Sequence, residues 1–515
     1  MIRFLRHITR KKFLINFSIS VLVLGLSLIV YFYAGSYWAP RQRLTGDEPH
    51  YLIITQSMVA DHDLDLTNNY AQKDYQAWNY VGETMDPHVS INSQNGKQYS
   101  FHNPGWPLVL YYPYKWWGFP GARGTAIVIG ALLALNIFLL IKKITRKSGA
   151  AWLVFLATAF SVPFVIYATQ LYNEMLAALL ICFAVLALYT RLPNFFSQFF
   201  SIAAISFLPW VHVKYIWVSL FLFLIWLFIN LFSNRSVGGY FRETPVEERS
   251  GKAETGHEAL RKRRVGWLGR LRAKVSPHAS FPLLLSLLYL ASGALLSYLF
   301  HRWYGSYLPN AQYPAGLTLI QTNQIGAGTL GLLLDRHFGL LPYAPIYVFS
   351  LAGLIYAFIK DRLLGILLSG AFLTVFLQHA ASTNLLGWAP EGRFWVAILP
   401  MLAVSLGLIY PLMRTWNKVI FYMAASWGWI AGYFLIRHPD LNYAVSEPKY
   451  LAAISSKLID FTRFFPHIIT MDQPPVIRQT NLIIIWGTII LVLTVLTLVF
   501  RARELKTKSR SSNPK

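Results

Sequence analysis

The sequence predicts an all-α protein that crosses a membrane about twelve times and carries a large outward first loop with short helices at the membrane surface. Of the 515 residues, 55% are hydrophobic and only 13% are charged, whereas a soluble protein carries about 25% charged residues. The net charge of +24 falls in short stretches between long apolar ones. That distribution is typical of topology signals rather than of a nucleic-acid-binding face.

The apolar stretches are about 17 to 22 residues long, enough to cross a hydrocarbon core of roughly 30 Å at 1.5 Å per residue. The first follows a basic amino end and is longer than a signal-peptide core, so we interpret it as an uncleaved signal anchor. Twelve stretches can be drawn, near 13–34, 124–141, 150–168, 175–190, 195–211, 215–232, 281–300, 340–359, 363–379, 394–412, 419–436 and 481–500.

The positive residues indicate that both termini lie in the cytoplasm. Most Lys and Arg residues stand at the amino end, in the segment 233–279 and in other loops of the same side, and in the carboxyl tail. Cytoplasmic loops retain such residues, and an even number of spans agrees with this orientation. The segment 233–279 suits a flexible loop or a surface helix that anchors the topology. We therefore expect a multi-pass protein of the cytoplasmic membrane.

The first outward loop, 35–105, is acidic and longer than a connector requires, so we expect the chemistry on the outer face. The spans as drawn contain no Asp, Glu, Lys or Arg in their interiors. Ion-coupled transporters commonly place such groups near the bilayer midplane, so the pattern favours an enzyme at the membrane surface. Cys182 is the single cysteine, which excludes an intrachain disulfide and a cysteine-based metal site.

The candidate catalytic residues are Asp47 and Glu48, in the stretch Thr45–Leu52. Asp47 also suits a helix N-cap, Glu48 a positive helix end and Pro49 a first turn, so structural and catalytic interpretations are both open for this pair. Asp61-His62-Asp63 has the spacing of carboxylates that hold a hard cation. Its flanking residues are typical of a turn, which favours solvated loop acids. We therefore assign no metal and expect no required cofactor, although a divalent cation is compatible with the sequence.

Several motifs, in this order, resemble those of the GT-C glycosyltransferases, the group of protein O-mannosyltransferases and lipid A aminoarabinose transferases. The Asp47-Glu48 pair stands in the first outward loop. His102-Asn103-Pro104-Gly105 resembles a His-x-Pro-type stretch, and Gln170-Leu171-Tyr172-Asn173-Glu174 resembles a Tyr-Pro-Glu turn with Asn173 in place of the proline. Residues 208–215, 335–340 and 387–394 also resemble stretches of bacterial members of this group. The resemblance defines a GT-C-like transmembrane catalytic domain over 1–412, followed by C-terminal spans over 413–515 with an outward loop at 437–480.

This resemblance implies transfer of a sugar from a polyprenyl-phosphate donor, with inversion, to an acceptor glycan, lipid or protein at the outer face. The leaving phosphate requires cations or hydrogen-bond donors, and a carboxylate must take the acceptor proton. We assign the role of general base, which accepts that proton, to Asp47, with Glu48 as the second choice. The candidate phosphate-binding residues are Lys214, Arg336 and Arg393, with His212 and His337; the candidate substrate-binding residues are His102, Tyr172 and Glu174. A cation at a membrane boundary also suits a snorkelling anchor.

Two other functions fit parts of the sequence. A flippase or transporter for lipid-linked saccharides accounts for twelve spans but not for the acidic first loop. An outward-facing glycan polymerase or ligase differs mainly in using a diphosphate-linked donor. Nucleic acid is not expected as a partner; a lipid-linked sugar and the bilayer are.

Overall fold

The computed structural model describes residues 2–38, 41, 44–78, 80, 82–190, 195–232, 280–313, 320–383, 385, 389–441, 449–456, 458–470 and 473–511. The predicted cytoplasmic loop 233–279 lies outside the described residues, as do 387–388 in the last family-like motif and parts of the predicted outward loop 437–480.

The described chain is almost entirely helical. Its α-helices, in chain order, are α1 (Ile2–Trp38), α2 (Glu48–Ala60), α3 (Thr67–Ala71), α4 (Gly105–Thr145), α5 (Ser148–Ala159), α6 (Phe164–Tyr167), α7 (Glu174–Thr190), α8 (Phe195–Val211), α9 (Ile216–Phe232), α10 (Ser280–Tyr304), α11 (Ile325–Leu334), α12 (Leu340–Tyr343), α13 (Ser350–Lys360), α14 (Arg362–Ala380), α15 (Leu399–Ile409), α16 (Thr415–Arg437), α17 (Lys449–Ile454) and α18 (Thr480–Ser511).

Short 3₁₀-helices connect several of these elements. They cover Asp74–Trp78, Val213–Tyr215, Thr322–Gln324, Pro345–Phe349, Arg393–Trp395, Tyr410–Leu412, Pro439–Leu441 and Phe461–Phe464. Extended pairing within the described ranges is limited to isolated bridges, two of which, Leu44–Tyr80 and Val89–Ser100, tie together the loop between α1 and α4.

The predicted fold class, a polytopic all-α membrane protein, is confirmed. Within the described part of the chain, seven helices are long and apolar enough to cross a bilayer, and five further apolar helices are shorter, at 10–17 residues. Each predicted span overlaps one of these twelve segments, but the count of twelve full-length spans is not confirmed. The predicted third span, for example, is interrupted between α5 and α6, where Pro163 removes a backbone donor.

Exposed apolar faces on the outer helices require a lipid environment. Only 17% of the apolar window in α1 and 11% of that in α18 is buried against the rest of the protein, whereas 61% of the window in α4 is buried. Contiguous apolar surface of this extent is unstable in water and stable against acyl chains. Helix α4 therefore lies at the centre of the bundle, and α1 and α18 lie at its periphery.

Basic side chains join the helix ends opposite the candidate site. Lys142 Nζ donates to Asn16 Oδ1 of α1 at 2.9 Å, and Lys360 Nζ donates to the carbonyl oxygen of Ile144 at 2.8 Å. These contacts bring α1 at Asn16, the end of α4 and the end of α13 together.

Asp335 connects the loop after α11 to the C-terminal part of the chain. One of its carboxylate oxygens, Oδ1, accepts the backbone N–H groups of His337 and Phe338 at 2.8 and 3.1 Å. The other, Oδ2, accepts those of Ile468 and Ile469 at 2.7 and 2.9 Å. The carboxylate is fully buried, so residues on both sides of position 412 share one interior.

Substitution of Gly105 by alanine should destabilise the bundle, because α4 and α8 touch at that residue. A Cβ atom there would clash with the backbone of Trp210 and lie 2.6 Å from Val211 N. Overpacking of this kind costs about 1 to 3 kcal/mol. The matched control is Gly124→Ala in the same helix, where a Cβ atom meets nothing within 4 Å and alanine favours the helix. Thermal unfolding in detergent should show a lower midpoint for G105A alone; equal midpoints would contradict this packing.

Candidate active site

Asp47 lies at the start of α2, held there by a turn that requires glycine. Gly46 has φ +61°, in the left-handed region that favours residues without a side chain. Asp47 occupies the N-cap position of α2, but its side chain makes no capping hydrogen bond. It pairs instead with the guanidinium of Arg393. The capping interpretation of Asp47 therefore describes its position and not its side-chain contacts.

Arg393 bridges two carboxylates from distant parts of the sequence. Gly392, with φ +76°, turns the chain immediately before it. The guanidinium then binds Asp47 and donates from Nε to Glu174 Oε1 at 3.0 Å. It also lies over the Tyr172 ring, 4.5 Å from the centroid, a favourable cation–π geometry. Three segments that are far apart in the chain meet at this residue.

Lys214 completes the charged cluster. Its Nζ donates to Glu174 Oε1 at 2.8 Å, and its backbone N–H donates to His212 Nδ1 at 3.1 Å. Glu174 is fully buried, and the side chain of Arg393 is only 9% exposed. Two carboxylates thus face two cations. This balance is what makes buried charges tolerable, because an unpaired one would shift its equilibrium toward the neutral form.

Glu48 supports the turn that carries Glu174. Its Oε1 accepts the backbone N–H of Leu171 at 2.8 Å, and the residue is 1% exposed. Asn173, which replaces the proline of the family-like turn, donates from its amide to the Tyr51 hydroxyl at 2.5 Å. Both contacts fix the turn against α2, so the amide supplies by hydrogen bonding a restraint that a proline would supply by its ring.

Three histidines lie beside Asp47. His102 Nε2 is 4.0 Å from Asp47 Oδ1 and 2.9 Å from His88 Nδ1, and the His88 ring stacks on His50 with centroids 3.4 Å apart. Asp47, His88 and His102 place three potential ligand atoms within 4.8 Å of one another. This carboxylate and two imidazoles are the part of the described chain that suits a divalent ion such as zinc, although Arg393 already occupies the carboxylate.

Electrostatics at the cluster favour an ionised Asp47 and neutral histidines. Burial raises the pKa of the Asp47 carboxyl, but the charge of Arg393, with contributions from His102 and His88, outweighs it and holds that pKa well below its usual range. Burial lowers the pKa of His102 to about 3, against the opposing effect of Asp47. At neutral pH the Asp47–Arg393 pair is therefore charged, and the imidazole beside it is not.

A cavity of about 850 Å³ opens next to the cluster. It has a cationic wall, and none of the described residues that line it carries a carboxylate. Polar residues on the wall include Asn92, His212, Lys214, Gln378, His379 and Arg393. Its rim is apolar and exposed, with Trp217 at 59%, Leu308 at 62% and Ile320 at 54%. The volume lies within the range of ligand sites, roughly 300 to 1,000 Å³.

Arg336 and His337, predicted to bind phosphate, lie elsewhere. They belong to the buried cluster around Asp335, where the His337 and His467 rings stack with centroids 5.1 Å apart. The backbone N–H of Arg336 donates to the carbonyl oxygen of Pro466 at 3.0 Å. Neither residue lines the 850 Å³ cavity. The sequence placed them correctly at a helix end but could not show which helix ends meet.

The predicted Asp61-His62-Asp63 stretch forms a loop held by its own carboxylates. Asp61 Oδ2 accepts from the Asn69 amide at 2.9 Å, and Asp63 Oδ1 accepts from the Ser57 hydroxyl at 3.0 Å. His62 has φ +60°. These contacts agree with the interpretation as turn residues.

Sequence reasoning missed His88, His379 and Glu391. His88 follows Asp86-Pro87 in a loop without a recognisable motif, and His379 ends a long apolar helix. Glu391 is 2% exposed and neither carboxylate oxygen has a hydrogen-bond partner. Of these three residues, only Glu391 had a signal in the sequence that it lies near the site, namely its position two residues before Arg393.

No protein-family model matches the chain, and no curated protein matches it. Among solved structures, the fold is similar to ArnT from Cupriavidus metallidurans bound to undecaprenyl phosphate, at 15% identity and a TM-score of 0.46, covering 94% of this chain and 72% of that one. The apo state of ArnT from the same organism is 14% identical with a TM-score of 0.46, and the match covers 95% of this chain and 73% of that one. The archaeal oligosaccharyltransferase AglB from Archaeoglobus fulgidus, in complex with an inhibitory peptide and a dolichol-phosphate, is 11% identical with a TM-score of 0.43. That match covers 81% of this chain and 56% of the other.

ArnT and AglB are GT-C glycosyltransferases, the group that the sequence motifs resemble. At these identities and TM-scores, the likenesses say nothing of this chain's own chemistry.

Substitution of Glu391 by glutamine should stabilise the protein at high pH. Burial raises the pKa of the Glu391 carboxyl from 4.5 to about 8. The folded state therefore binds its proton more tightly than the unfolded chain, and wild-type stability falls as the pH rises through that interval. Glutamine resembles the protonated acid but cannot ionise, so the thermal midpoint of E391Q should exceed that of wild type at pH 9 and match it near pH 4.5.

The control is Glu83→Gln, at an exposed position, which should change the midpoint little at either pH. A difference between E391Q and wild type that is the same at both pH values would contradict a buried, protonated Glu391.

Proposed function

We propose that the chain is a membrane glycosyltransferase that moves a sugar, with inversion, from a polyprenyl-phosphate donor to an acceptor at the outer face of the cytoplasmic membrane. The observation that supports this most directly is the junction of Asp47, Arg393, Glu174 and Lys214 beside a cavity that is cationic on its wall and apolar at its rim. A lipid-linked phosphorylated sugar has an apolar tail, an anion and a polar ring. These parts are complementary to the apolar rim, the cations and the polar side chains of the cavity.

Lys214 and Arg393 bind the donor phosphate in this proposal. Both line the cavity, and the Lys214 ammonium has three N–H donors, of which its contact with Glu174 uses one. Charge-assisted hydrogen bonds to phosphate oxygens strengthen as the bond from the anomeric carbon to the phosphate breaks. The exposed Trp217, Leu308 and Ile320 at the rim give the isoprenoid tail a path to the lipid.

Asp47 acts as the general base in the same step. The acceptor hydroxyl or amine forms a bond to the anomeric carbon, its proton passes to Asp47, and polyprenyl phosphate leaves with the bonding electrons. A carboxylate held by Arg393 is a poor base, because its pKa lies far below neutrality. A phosphate that draws Arg393 toward itself removes that effect, so donor binding would raise the basicity of Asp47.

The neighbouring residues position these groups. Glu174 orients both cations, and Tyr172 supports the Arg393 guanidinium. His102, whose Nε2 is 4.0 Å from Asp47 Oδ1, would contact the acceptor. Glu48, the second choice for the general base in the sequence, would hold the turn that carries Glu174. A monophosphate donor does not require a metal ion to neutralise it, so a cation at Asp47, His88 and His102 remains compatible with transfer but is not used in this step.

Substitution of Asp47 by asparagine should give a folded protein with about 100- to 10,000-fold lower transfer, the usual contribution of a general base. The Asp47 side chain makes no capping hydrogen bond, and Arg393 keeps its contact with Glu174, so helix α2 and the rest of the cluster should be retained. Transfer is measured as consumption of a radiolabelled polyprenyl-phosphate sugar by the purified protein. Donor binding in the same variant should persist, because Lys214 and Arg393 remain. Full activity of D47N would remove Asp47 from the mechanism.

Substitution of Lys214 by glutamine should weaken binding of undecaprenyl phosphate about 10-fold or more, since a hydrogen bond from a charged group is lost. Arg393 still pairs with Glu174 in this variant, so the fold should be preserved. The matched control is Arg336→Gln in the Asp335 cluster, which should bind the lipid as wild type does. Equal weakening in both variants would contradict the assignment of the phosphate to the 850 Å³ cavity.

The proposed function as a whole is tested with purified protein in liposomes that contain a labelled polyprenyl-phosphate sugar. Release of unglycosylated polyprenyl phosphate, dependent on an added acceptor fraction, is the expected result. Movement of the intact donor between leaflets without its consumption would favour a flippase instead.

A further inference from the structure

His379 lies on the cavity wall at the end of α14, and the structure leaves one of its ring nitrogens without a partner. The ring is 95% buried, its exposed fraction being 5%. Nδ1 is 2.9 Å from the carbonyl oxygen of Phe394, and Nε2 is buried with no hydrogen-bond partner. Unpaired buried polar atoms are uncommon in folded proteins and often await a ligand or water.

The Phe394 carbonyl determines which nitrogen carries the proton. A carbonyl oxygen only accepts hydrogen bonds, so Nδ1 must be the N–H that donates to it. Lys214 and Arg393 line the same cavity, and a neutral ring avoids adding a third buried positive charge beside them. In that form Nε2 is a hydrogen-bond acceptor, and it belongs to a side chain of a wall whose charged groups are donors.

An acceptor at this place matches a sugar hydroxyl rather than a phosphate oxygen. A phosphate diester at neutral pH carries only acceptor oxygens, which Nε2 would repel, whereas each sugar hydroxyl offers an O–H donor. The described cavity lining has no carboxylate to pair with an ammonium group. A cationic amino sugar would therefore lie near Lys214 and Arg393 without a counter-charge on the wall, at a cost that a neutral sugar avoids.

We propose that His379 is a specificity-determining residue that accepts a hydrogen bond from a hydroxyl of the donor sugar, and that the preferred donor carries a neutral, hydroxylated sugar. This inference rests on the proposed function, because it assumes that the sugar-phosphate occupies the 850 Å³ cavity. It adds the class of sugar and the residue that recognises it. The adjacent Gln378 also lines the cavity, but its amide donates to the Thr374 carbonyl oxygen at 2.5 Å.

The test measures binding of three probes to the full chain in nanodiscs: undecaprenyl phosphate, undecaprenyl-phosphate glucose, and undecaprenyl phosphate carrying 4-amino-4-deoxyarabinose. The variant is His379→Asn, whose amide nitrogen can replace Nδ1 toward Phe394 while the acceptor at Nε2 is lost. H379N should bind undecaprenyl phosphate within twofold of wild type. It should bind the glucose-bearing lipid about three- to tenfold more weakly, the usual effect of one lost neutral hydrogen bond.

Two further variants separate recognition from structure. His379→Gln carries an amide oxygen that can reach the position of Nε2 and should restore part of the affinity for the glucose-bearing lipid. His438→Asn, at an exposed position beyond α16, should match wild type with all three probes. Wild type should prefer the glucose-bearing lipid to the amino-sugar lipid.

Equal loss of affinity for undecaprenyl phosphate and its glucose derivative in H379N would show a structural role and overturn the inference. Unchanged affinity for both, or a wild-type preference for the amino sugar, would also overturn it while leaving the proposed function intact. Failure of wild type to bind any of the three lipids would overturn the proposed function itself.

Discussion

The two-sided ion pair of Arg393 is the interaction on which the rest of the site depends. One guanidinium joins Asp47, which follows α1, to Glu174, which begins α7. Lys214, from the 3₁₀-helix before α9, joins the same Glu174. These groups are mostly buried, and an unpaired charge in such a place costs several kcal/mol. Their mutual neutralisation therefore constrains how four separate helix ends can pack.

The same ion pairs also bear on ligand binding at the site. The cluster balances its charges internally, and both of its cations border a cavity whose described lining has no carboxylate. An anion that entered the cavity would meet the two side chains that already pair with Asp47 and Glu174. Pairing within the cluster and binding of an anion would therefore depend on the same two cations.

The fold class and much of the site could be predicted from the sequence because they depend on local patterns. Uncharged stretches separated by basic loops define the helices. Glu174, Lys214 and Arg393 stand next to such stretches, and Asp47 lies in the loop that follows the first one. The structure shows that these four meet. It also shows why Arg336 and His337, at an equally suitable helix end, do not join them: the buried Asp335 engages their loop with residues 466–469. Which helix ends meet depends on tertiary packing, which no local pattern contains. His88 and His379 lacked a sequence signal for the same reason.

The four hydrogen bonds accepted by Asp335 have a consequence for how the chain can be divided. Two of the donors belong to Ile468 and Ile469, beyond the point where the family-like motifs end. A protein shortened at position 412 would lack both of these donors. Oδ2 of the buried Asp335 carboxylate would then have lost the two backbone N–H groups that solvate it. The segment that carries Ile468 and Ile469 is thus part of the same folding unit as the loop after α11.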